Sequence, residues 1–64
     1  MTKIKSYTVN TEGDNVATAA YYGYHAYHAD GVTAIEIKAK NAREAELIAK
    51  RIIGTYRKVY YAFE

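Results

Sequence analysis

The sequence predicts an α+β fold: an antiparallel β-sheet in the order β-β-β-α-β, with one helix packed on one face of the sheet. Residues 32–40 alternate apolar and polar side chains with the period of two that is typical of a half-buried strand. Residues 41–54 place apolar side chains at helical spacing between a capping residue and a glycine. Because the chain has only 64 residues, we expect one small domain over residues 1–64 with a thin core.

The first half of the chain is expected to supply the first two strands. The first is predicted over residues 3–10, KIKSYTVN, although their apolar side chains do not alternate regularly. Turn-forming residues follow over 10–15, NTEGDN, and predict a polar loop. The dipeptide Asp30-Gly31 suits the two-residue turn of a β-hairpin, so the second strand is expected over roughly residues 16–29.

A turn at Asp30-Gly31 determines which residues of the hairpin face each other. The pairs on the face that the isoleucines define as core are Tyr22 with Ala39, Tyr24 with Ile37 and Ala26 with Ile35. The pairs on the other face are Tyr21 with Lys40, Gly23 with Lys38, His25 with Glu36 and Tyr27 with Ala34. A slip of one residue would exchange the two sets, so the register decides which tyrosines are displayed.

The helix and the last strand complete the predicted fold. Asn41 suits the N-cap, because its side-chain oxygen can accept a hydrogen bond from an unpaired backbone N–H. Glu44 stands where a capping box places its acid, and Gly54 suits the left-handed residue that ends a helix. The last strand is predicted over residues 55–64, with Val59, Tyr61 and Phe63 on one face and Lys58, Tyr60 and Ala62 on the other.

The composition excludes several classes of function. The chain has no cysteine, which excludes disulfide scaffolds, cysteine-bound zinc and thiol chemistry. Its net charge of +2 argues against an acidic mimic of DNA and by itself indicates no polyanionic partner. The first residues lack the apolar stretch of a signal peptide, and no run reaches the roughly 18 apolar residues of a membrane span. We therefore expect a cytoplasmic protein without a membrane partner.

Residues 21–28, YYGYHAYH, hold four of the eight tyrosines and both histidines. His25 and His28 are three positions apart, so on a strand they point to opposite faces and do not bind one metal ion together. The chain lacks a nucleophile elbow and a glycine-rich phosphate loop, and its acids fall in loops, polar helix turns or the exposed strand face. We expect no enzyme activity, no catalytic residues, no metal and no cofactor.

Tyrosines and cations share the sheet face that the helix is predicted to leave uncovered. We expect this face to bind a host protein, with aromatic anchors and with cations that orient an acidic partner. The expected partner-binding residues are Tyr21, His25, Tyr27, Lys38, Lys40, Lys58 and Tyr60. The same face would suit nucleic acid through stacking of unpaired bases, or a homodimer whose interface the tyrosines fill.

Two further interpretations stay open at this level. Cross-strand tyrosines stabilise a sheet whether or not they bind anything, which is the simplest explanation for any single one of them. The exposed side of the helix, with Arg43, Lys50 and Arg51, is a second candidate surface, and a solvated charged face is its simplest explanation.

The segment KAKNAREAELIAKRI places an alanine-rich helix directly after a strand. From about Val16 to Phe63, the order of hairpin, helix and last strand resembles the bacteriophage-encoded inhibitors of host RNA polymerase, the gene 2 protein family. The resemblance implies a small non-enzymatic protein that binds and inhibits or modulates a host macromolecule, such as a transcription or defence complex. The Tyr/His block at residues 21–28 departs from the family's pattern, so no contact residues are carried over.

Overall fold

Four antiparallel strands and two helices make up the fold. The computed structural model of the protein describes residues 3–54 and 57–64. In chain order the elements are β1 (Lys5–Glu12), α1 (Val16–Tyr21), β2 (Ala26–Ala29), β3 (Val32–Ala39), α2 (Ala42–Ile53) and β4 (Val59–Phe63). The strands form one sheet in the order β2-β3-β1-β4, and residues of both helices pack into the same core on one side of it. The predicted α+β class is thus confirmed.

α1 is the main departure from the predicted order, because residues 16–29 were expected to form one long strand. Its sequence, VATAAY, contains three alanines, the residue with the highest helix propensity, and Ala19 is completely buried in the core. Gly23 ends the turn with a φ of 88° and donates its N–H to the carbonyl of Ala20 at 2.9 Å. Helix propensity and the burial of Ala19 therefore outweigh the strand preference of the tyrosines that follow.

The hairpin has the predicted register over the residues that form it. Asp30 and Gly31 have φ angles of 52° and 76°, as a type I′ turn requires. Ala26 faces Ile35, and the next pair continues the same alignment. β2 begins only at Ala26, because the residues before it turn into α1.

The two tyrosines predicted for the core differ in burial. Tyr24 is partly buried and packs against the core, and its N–H donates to the carbonyl of Ala19 at 2.9 Å. Tyr22 follows the last residue of α1 and is 56% exposed, so its predicted place in the core was wrong. The reason is again α1, which removes Tyr22 from the sheet.

The core lies between the sheet and the helices. Its strand residues are Tyr7, Val9, Ile35, Ile37 and Ala39, and its helix residues are Ala19, Ala45, Ala49 and Ile52. Because alanines form most of the helical contact, the helices approach the sheet closely, and a chain with few large apolar residues can still fill the space. Ala42 and Ile48 pack at the margin of this core, as the helical stripe predicts.

Both ends of α2 agree with the sequence. The side-chain oxygen of Asn41 accepts a hydrogen bond from the N–H of Glu44 at 2.8 Å, and the Glu44 carboxylate accepts one from the N–H of Lys40 at 3.0 Å. Gly54 has a φ of 84° and donates its N–H to the carbonyl of Lys50 at 2.9 Å. Within residues 3–54 and 57–64, no helix is long and apolar enough to cross a membrane.

A buried polar cluster of Thr11, Asn15 and Thr33 joins the start of α1 to the sheet. The hydroxyl of Thr11 donates to the carbonyl of Thr33 at 3.0 Å and accepts from the Asn15 side-chain amide at 3.0 Å. The hydroxyl of Thr33 accepts from the backbone N–H of Asn15 at 2.9 Å and donates to the carbonyl of Gly13. All three residues are buried, so the cluster holds the loop between β1 and α1 in one position.

β4 contains an irregularity that reverses part of its predicted pattern. Val9 of β1 faces Ala62 and Thr11 faces Val59, so the two residues Tyr60 and Tyr61 stand opposite the single Asn10. This bulge lets Val59 and Ala62 both pack against the core, although three positions separate them. The predicted strand included Thr55 and Tyr56, which lie outside the described residues.

Candidate functional site

The sheet surface opposite the helices is the candidate site, and we call it the open face. Strand alternation assigns to it the residues that neighbour the buried ones along β1 and β3. It consists of Ser6, Thr8, Asn10 and Glu12 on β1, Ala34, Glu36 and Lys38 on β3, Tyr27 on β2, Tyr61 and Phe63 on β4, and His25, which precedes β2.

The open face is arranged in rows across the strands. In one row the backbone N–H of Glu36 donates to the carbonyl of His25 at 2.9 Å, Glu36 faces Thr8, and Thr8 faces Phe63. The next row runs from Tyr27 through Ala34 and Asn10 to the bulge at Tyr60 and Tyr61. Each row therefore has an aromatic or imidazole ring at both ends. The middle of the first row holds Glu36 and Thr8, and the middle of the second holds Ala34 and Asn10.

Strand alternation places Thr8, Asn10, Ala34 and Glu36 of the two central strands between aromatic side chains of the two outer strands. The aromatic walls are Tyr27 on β2 and the pair Tyr61 and Phe63 on β4, whose ring centroids are 5.9 Å apart. Three strand spacings of about 4.8 Å separate the outer strands, so their backbones lie about 14 Å apart. We call this feature the open-face groove.

Four of the residues predicted from the sequence reach the expected surface. Tyr27 is 67% exposed in β2, and His25 stands in the adjacent row beside Glu36. Lys38 is exposed opposite Ser6. Lys40 is exposed just beyond the end of β3.

Tyr21 does not belong to the open face. It is the last residue of α1, it is 84% exposed, and its ring meets that of Tyr22 edge to face with 5.2 Å between centroids. Its predicted pairing with Lys40 was wrong, because the residues before Ala26 turn back into a helix. Tyr21 and Tyr22 therefore form a separate exposed aromatic pair.

Lys58 and Tyr60 lie together at the β4 edge of the sheet. The ammonium nitrogen of Lys58 is 5.8 Å from the ring centroid of Tyr60, within the range of a cation–π contact. The carbonyl of Lys58 accepts the N–H of Glu12 at 2.8 Å, which holds this segment against β1. The two predicted residues thus flank the groove at the bulge, on the side away from Tyr27.

Sequence reasoning missed Tyr61 and Phe63 as members of the site. Strict alternation after Val59 assigns them to the core, whereas they are 61% and 44% exposed. The signal that could have identified them is Ala62. A small residue suits the side of β4 that packs beneath α2, and this places the neighbouring aromatic residues Tyr61 and Phe63 on the other side. A bulge leaves no composition signal of its own, so alternation alone gives the wrong face.

The two histidines point to opposite sides of the sheet, as the sequence predicts. His28 faces Thr33, a residue of the buried side, and His25 stands in the row of Glu36 on the open face. Over the described ranges, no three side chains of histidine, aspartate or glutamate are grouped as a metal site would require.

Two clefts border the site, one on each side of Tyr24. The first has a volume of about 330 Å³ and is lined by Ser6, Gly23, Tyr24, His25, Glu36, Ile37 and Lys38. The second has a volume of about 310 Å³, lies on the helix side, and is lined by Tyr22, Tyr24, Ile48, Arg51 and Ile52.

The sequence also predicts a candidate surface on the exposed side of α2. Of its three residues, Arg51 borders the second cleft, Arg43 is exposed, and Lys50 donates to the carbonyl of Arg57 at 3.4 Å.

Comparison of the chain with models of protein families, with curated proteins and with solved structures finds no match.

Proposed function

We propose that this chain is a small non-enzymatic binding protein whose open-face groove holds an amphipathic helix of a partner protein. The observation that supports the proposal is the arrangement of the groove, with small and polar residues on the central strands and aromatic walls on both outer strands. An α-helix with its side chains is about 10–12 Å across, which is less than the distance of about 14 Å between the backbones of the outer strands. A helix in a groove is a common mode of recognition between proteins.

The walls have the chemistry of binding anchors. Tyr27, Tyr61 and Phe63 remain exposed on a rigid sheet, so a partner can bury large aromatic side chains without first ordering them. Aromatic side chains are also enriched among the residues that contribute most binding energy in protein interfaces.

The charges of the open face favour a protein over a nucleic acid. Lys38 shares the surface with Glu36 and Glu12, so both signs are present within a few rows. Binding to a phosphate backbone draws its energy from a surplus of cations that release counterions. Mixed charge instead suits a partner helix that carries both signs along its polar flanks.

The resemblance in element order to the phage inhibitors of host RNA polymerase extends the proposal to a host macromolecule as the partner. Inhibition or modulation would follow if the bound helix belongs to a surface that the partner needs for its own activity. A cytoplasmic location is part of the same proposal, and a chain without cysteine suits a reducing compartment.

Site-specific photo-cross-linking combined with substitution tests this proposal. A photoreactive phenylalanine analogue placed at Tyr27 or Tyr61 should cross-link one defined protein in bacterial lysate, and the cross-linked peptide of that protein should be helical. The same analogue at Tyr21, which is more exposed but off the open face, is the matched control. Cross-linking to the same peptide from Tyr21 and not from Tyr27 would contradict the proposal.

The triple variant Tyr27→Ser/Tyr61→Ser/Phe63→Ser should lose the partner, whereas Tyr21→Ser/Tyr22→Ser should keep it. Unchanged binding by the triple variant, with its fold confirmed by circular dichroism, would show that the groove does not bind the partner. Salt-dependent binding of a single-stranded oligonucleotide that the triple variant loses would favour the nucleic-acid alternative. A dimer by light scattering that the triple variant converts to a monomer would favour self-association through the same face.

A further inference from the structure

β3 is twice as long as the strand that pairs with it on its outer side. β3 has eight residues and β2 has four. The last hydrogen bond between the two segments is the one from the N–H of Glu36 to the carbonyl of His25. Beyond it, the strand position next to β3 is empty, and we call this position the vacant lane.

The vacant lane exposes the backbone of Lys38. Along a strand, the polar groups of every second residue point to the same side, so the N–H and C=O of Lys38 point the same way as those of Glu36. Gly23 would stand opposite Lys38 in a longer hairpin, but its N–H donates to Ala20 instead. Within residues 3–54 and 57–64, no group hydrogen-bonds the N–H of Lys38.

The first cleft, of about 330 Å³, lies at the vacant lane. One wall is the chain from Gly23 to His25, and the other is β3 from Glu36 to Lys38. The space beside Gly23 is open, since a Cβ added there would meet no atom within 4 Å. The cleft is therefore the space between the edge of β3 and the segment from Gly23 to His25, which bends away from that edge.

We infer that the vacant lane binds an extended peptide of a partner protein, added antiparallel to β3 as a continuation of β2. The peptide residue opposite Lys38 would exchange two hydrogen bonds with it, donating its N–H to the Lys38 carbonyl and accepting the Lys38 N–H. Strand addition of this kind draws its affinity from main-chain bonds and its specificity from alternate side chains.

The lining residues set the chemistry of that peptide. The side chain opposite Lys38 would lie on the open face, between the Lys38 ammonium and His25, which favours an acid there. The residue that precedes it would point the other way, toward the wall where Tyr24 and Ile37 stand, which favours an apolar side chain. Tyr24 and His25 occupy the positions that would follow it, so the bound segment must leave β3 after the residue opposite Lys38. The preferred partner is therefore an extended segment whose last paired residue is an acid, preceded by an apolar residue.

The inference does not rest on the open-face groove. The vacant lane uses backbone groups at the edge of β3 near Lys38, whereas the groove uses side chains of all four strands around Asn10 and Ala34. A result that contradicts one proposal therefore does not contradict the other.

The probe is the peptide acetyl-TVE-amide, titrated into ¹⁵N-labelled protein and followed by nuclear magnetic resonance. The amide of Lys38 should move downfield as its hydrogen bond forms, while the amides of Ile37 and Ala39, which face β1, should move little. N-methylation of the glutamate removes the N–H that donates to β3 and should weaken binding by about tenfold or more. N-methylation of the preceding valine alters an N–H that points away from β3 and should leave the affinity within about twofold.

A charge-reversed probe tests the side-chain chemistry separately. The peptide acetyl-TVK-amide should bind at least about threefold more weakly to the natural chain than acetyl-TVE-amide. In the variant Lys38→Ala, which keeps the backbone groups, the two peptides should bind equally.

Three results would overturn the inference. One is equal binding of the two N-methylated peptides, and another is no shift of the Lys38 amide at millimolar peptide. The third is slow exchange of the Lys38 amide with solvent in the free protein. Slow exchange at every concentration would mean that residues 21–23 fill the lane themselves, and slow exchange only at high concentration would mean that a second copy fills it.

Discussion

The hydroxyl of Thr11 donates a hydrogen bond to the carbonyl of Thr33 across β1 and β3 at 3.0 Å, with both side chains completely buried. The Thr33 hydroxyl in turn accepts a hydrogen bond from the backbone N–H of Asn15 and donates one to the carbonyl of Gly13. A buried polar group without a partner is destabilising, so the cluster is sensitive to loss of any one member.

Replacing Thr33 with valine should therefore destabilise the fold although the side-chain shape is kept. The backbone N–H of Asn15 and the carbonyl of Gly13 would both lose their partner, and we expect the free energy of unfolding to fall by about 1–3 kcal/mol. Urea denaturation followed by circular dichroism measures it. Thr8→Val on the open face of β1 is the matched control and should change stability by less than about 0.5 kcal/mol. Equal losses in the two variants would contradict the role given to the cluster.

Removing the cap of α2 should weaken the helix that covers the sheet. Asn41→Ala loses the acceptor for the N–H of Glu44, and we expect a loss of about 1 kcal/mol in the free energy of unfolding. Asn41→Ser keeps an oxygen at the same position and should lose no more than a few tenths of that. Thermal denaturation of both variants decides the point, and a serine variant as unstable as the alanine variant would show that the cap is not the cause.

Glu46 should protect the outer edge of β4. Its carboxylate accepts the N–H of Ala62 at 3.1 Å, and that N–H points away from β1. We expect Glu46→Ala to raise the hydrogen-exchange rate of the Ala62 amide and to increase association at high concentration, because an unpaired edge can pair with another chain. Glu46→Gln retains an acceptor oxygen and should behave as the natural chain does. An Ala62 amide that exchanges equally slowly in all three proteins would refute this role.

Gly13 and Gly31 both adopt the left-handed backbone conformation that favours glycine. Both have a positive φ, of 81° and 76°, so alanine at either position should lower the free energy of unfolding by about 1 kcal/mol. An added Cβ at Gly13 would also overlap the guanidinium of Arg57, but this group is the end of a flexible, exposed side chain and can move aside. At Gly31 an added Cβ would meet no atom within 4 Å. Chemical denaturation should therefore show similar losses for Gly13→Ala and Gly31→Ala. A much larger loss for Gly13→Ala that Gly13→Ala/Arg57→Ala relieves would contradict this expectation.

The parts of the fold that local chemistry determines could be predicted from the sequence. Asp30-Gly31 set the register of the hairpin, and Asn41 with Gly54 set the ends of α2, because turn and cap geometry depends on a few neighbouring residues. α1 could not be predicted in the same way. Its six residues form too short a helix to show a periodic stripe, and its place depends on long-range contacts of Asn15 with Thr33 and of Ala19 with the core.

The candidate site was predicted in part for a related reason. His25, Tyr27 and Lys38 follow from the register of β2 and β3, which the turn determines. Tyr61 and Phe63 follow from a bulge opposite Asn10, and a bulge is a property of how two strands meet rather than of either strand alone. The misplacement of Tyr21 has the same origin as the missed helix.

The bulge also bears on how this surface could change over generations. Because Tyr60 and Tyr61 share one partner, β4 holds one residue more than strict alternation needs. Loss of either tyrosine by a three-nucleotide deletion would remove the bulge and leave Val59 and Ala62 two positions apart. Both would then stay on the core side of the sheet, and Phe63 would stay opposite Thr8. A single codon thus decides whether one tyrosine or two stand opposite Asn10, without any change in the helices that stabilise the sheet.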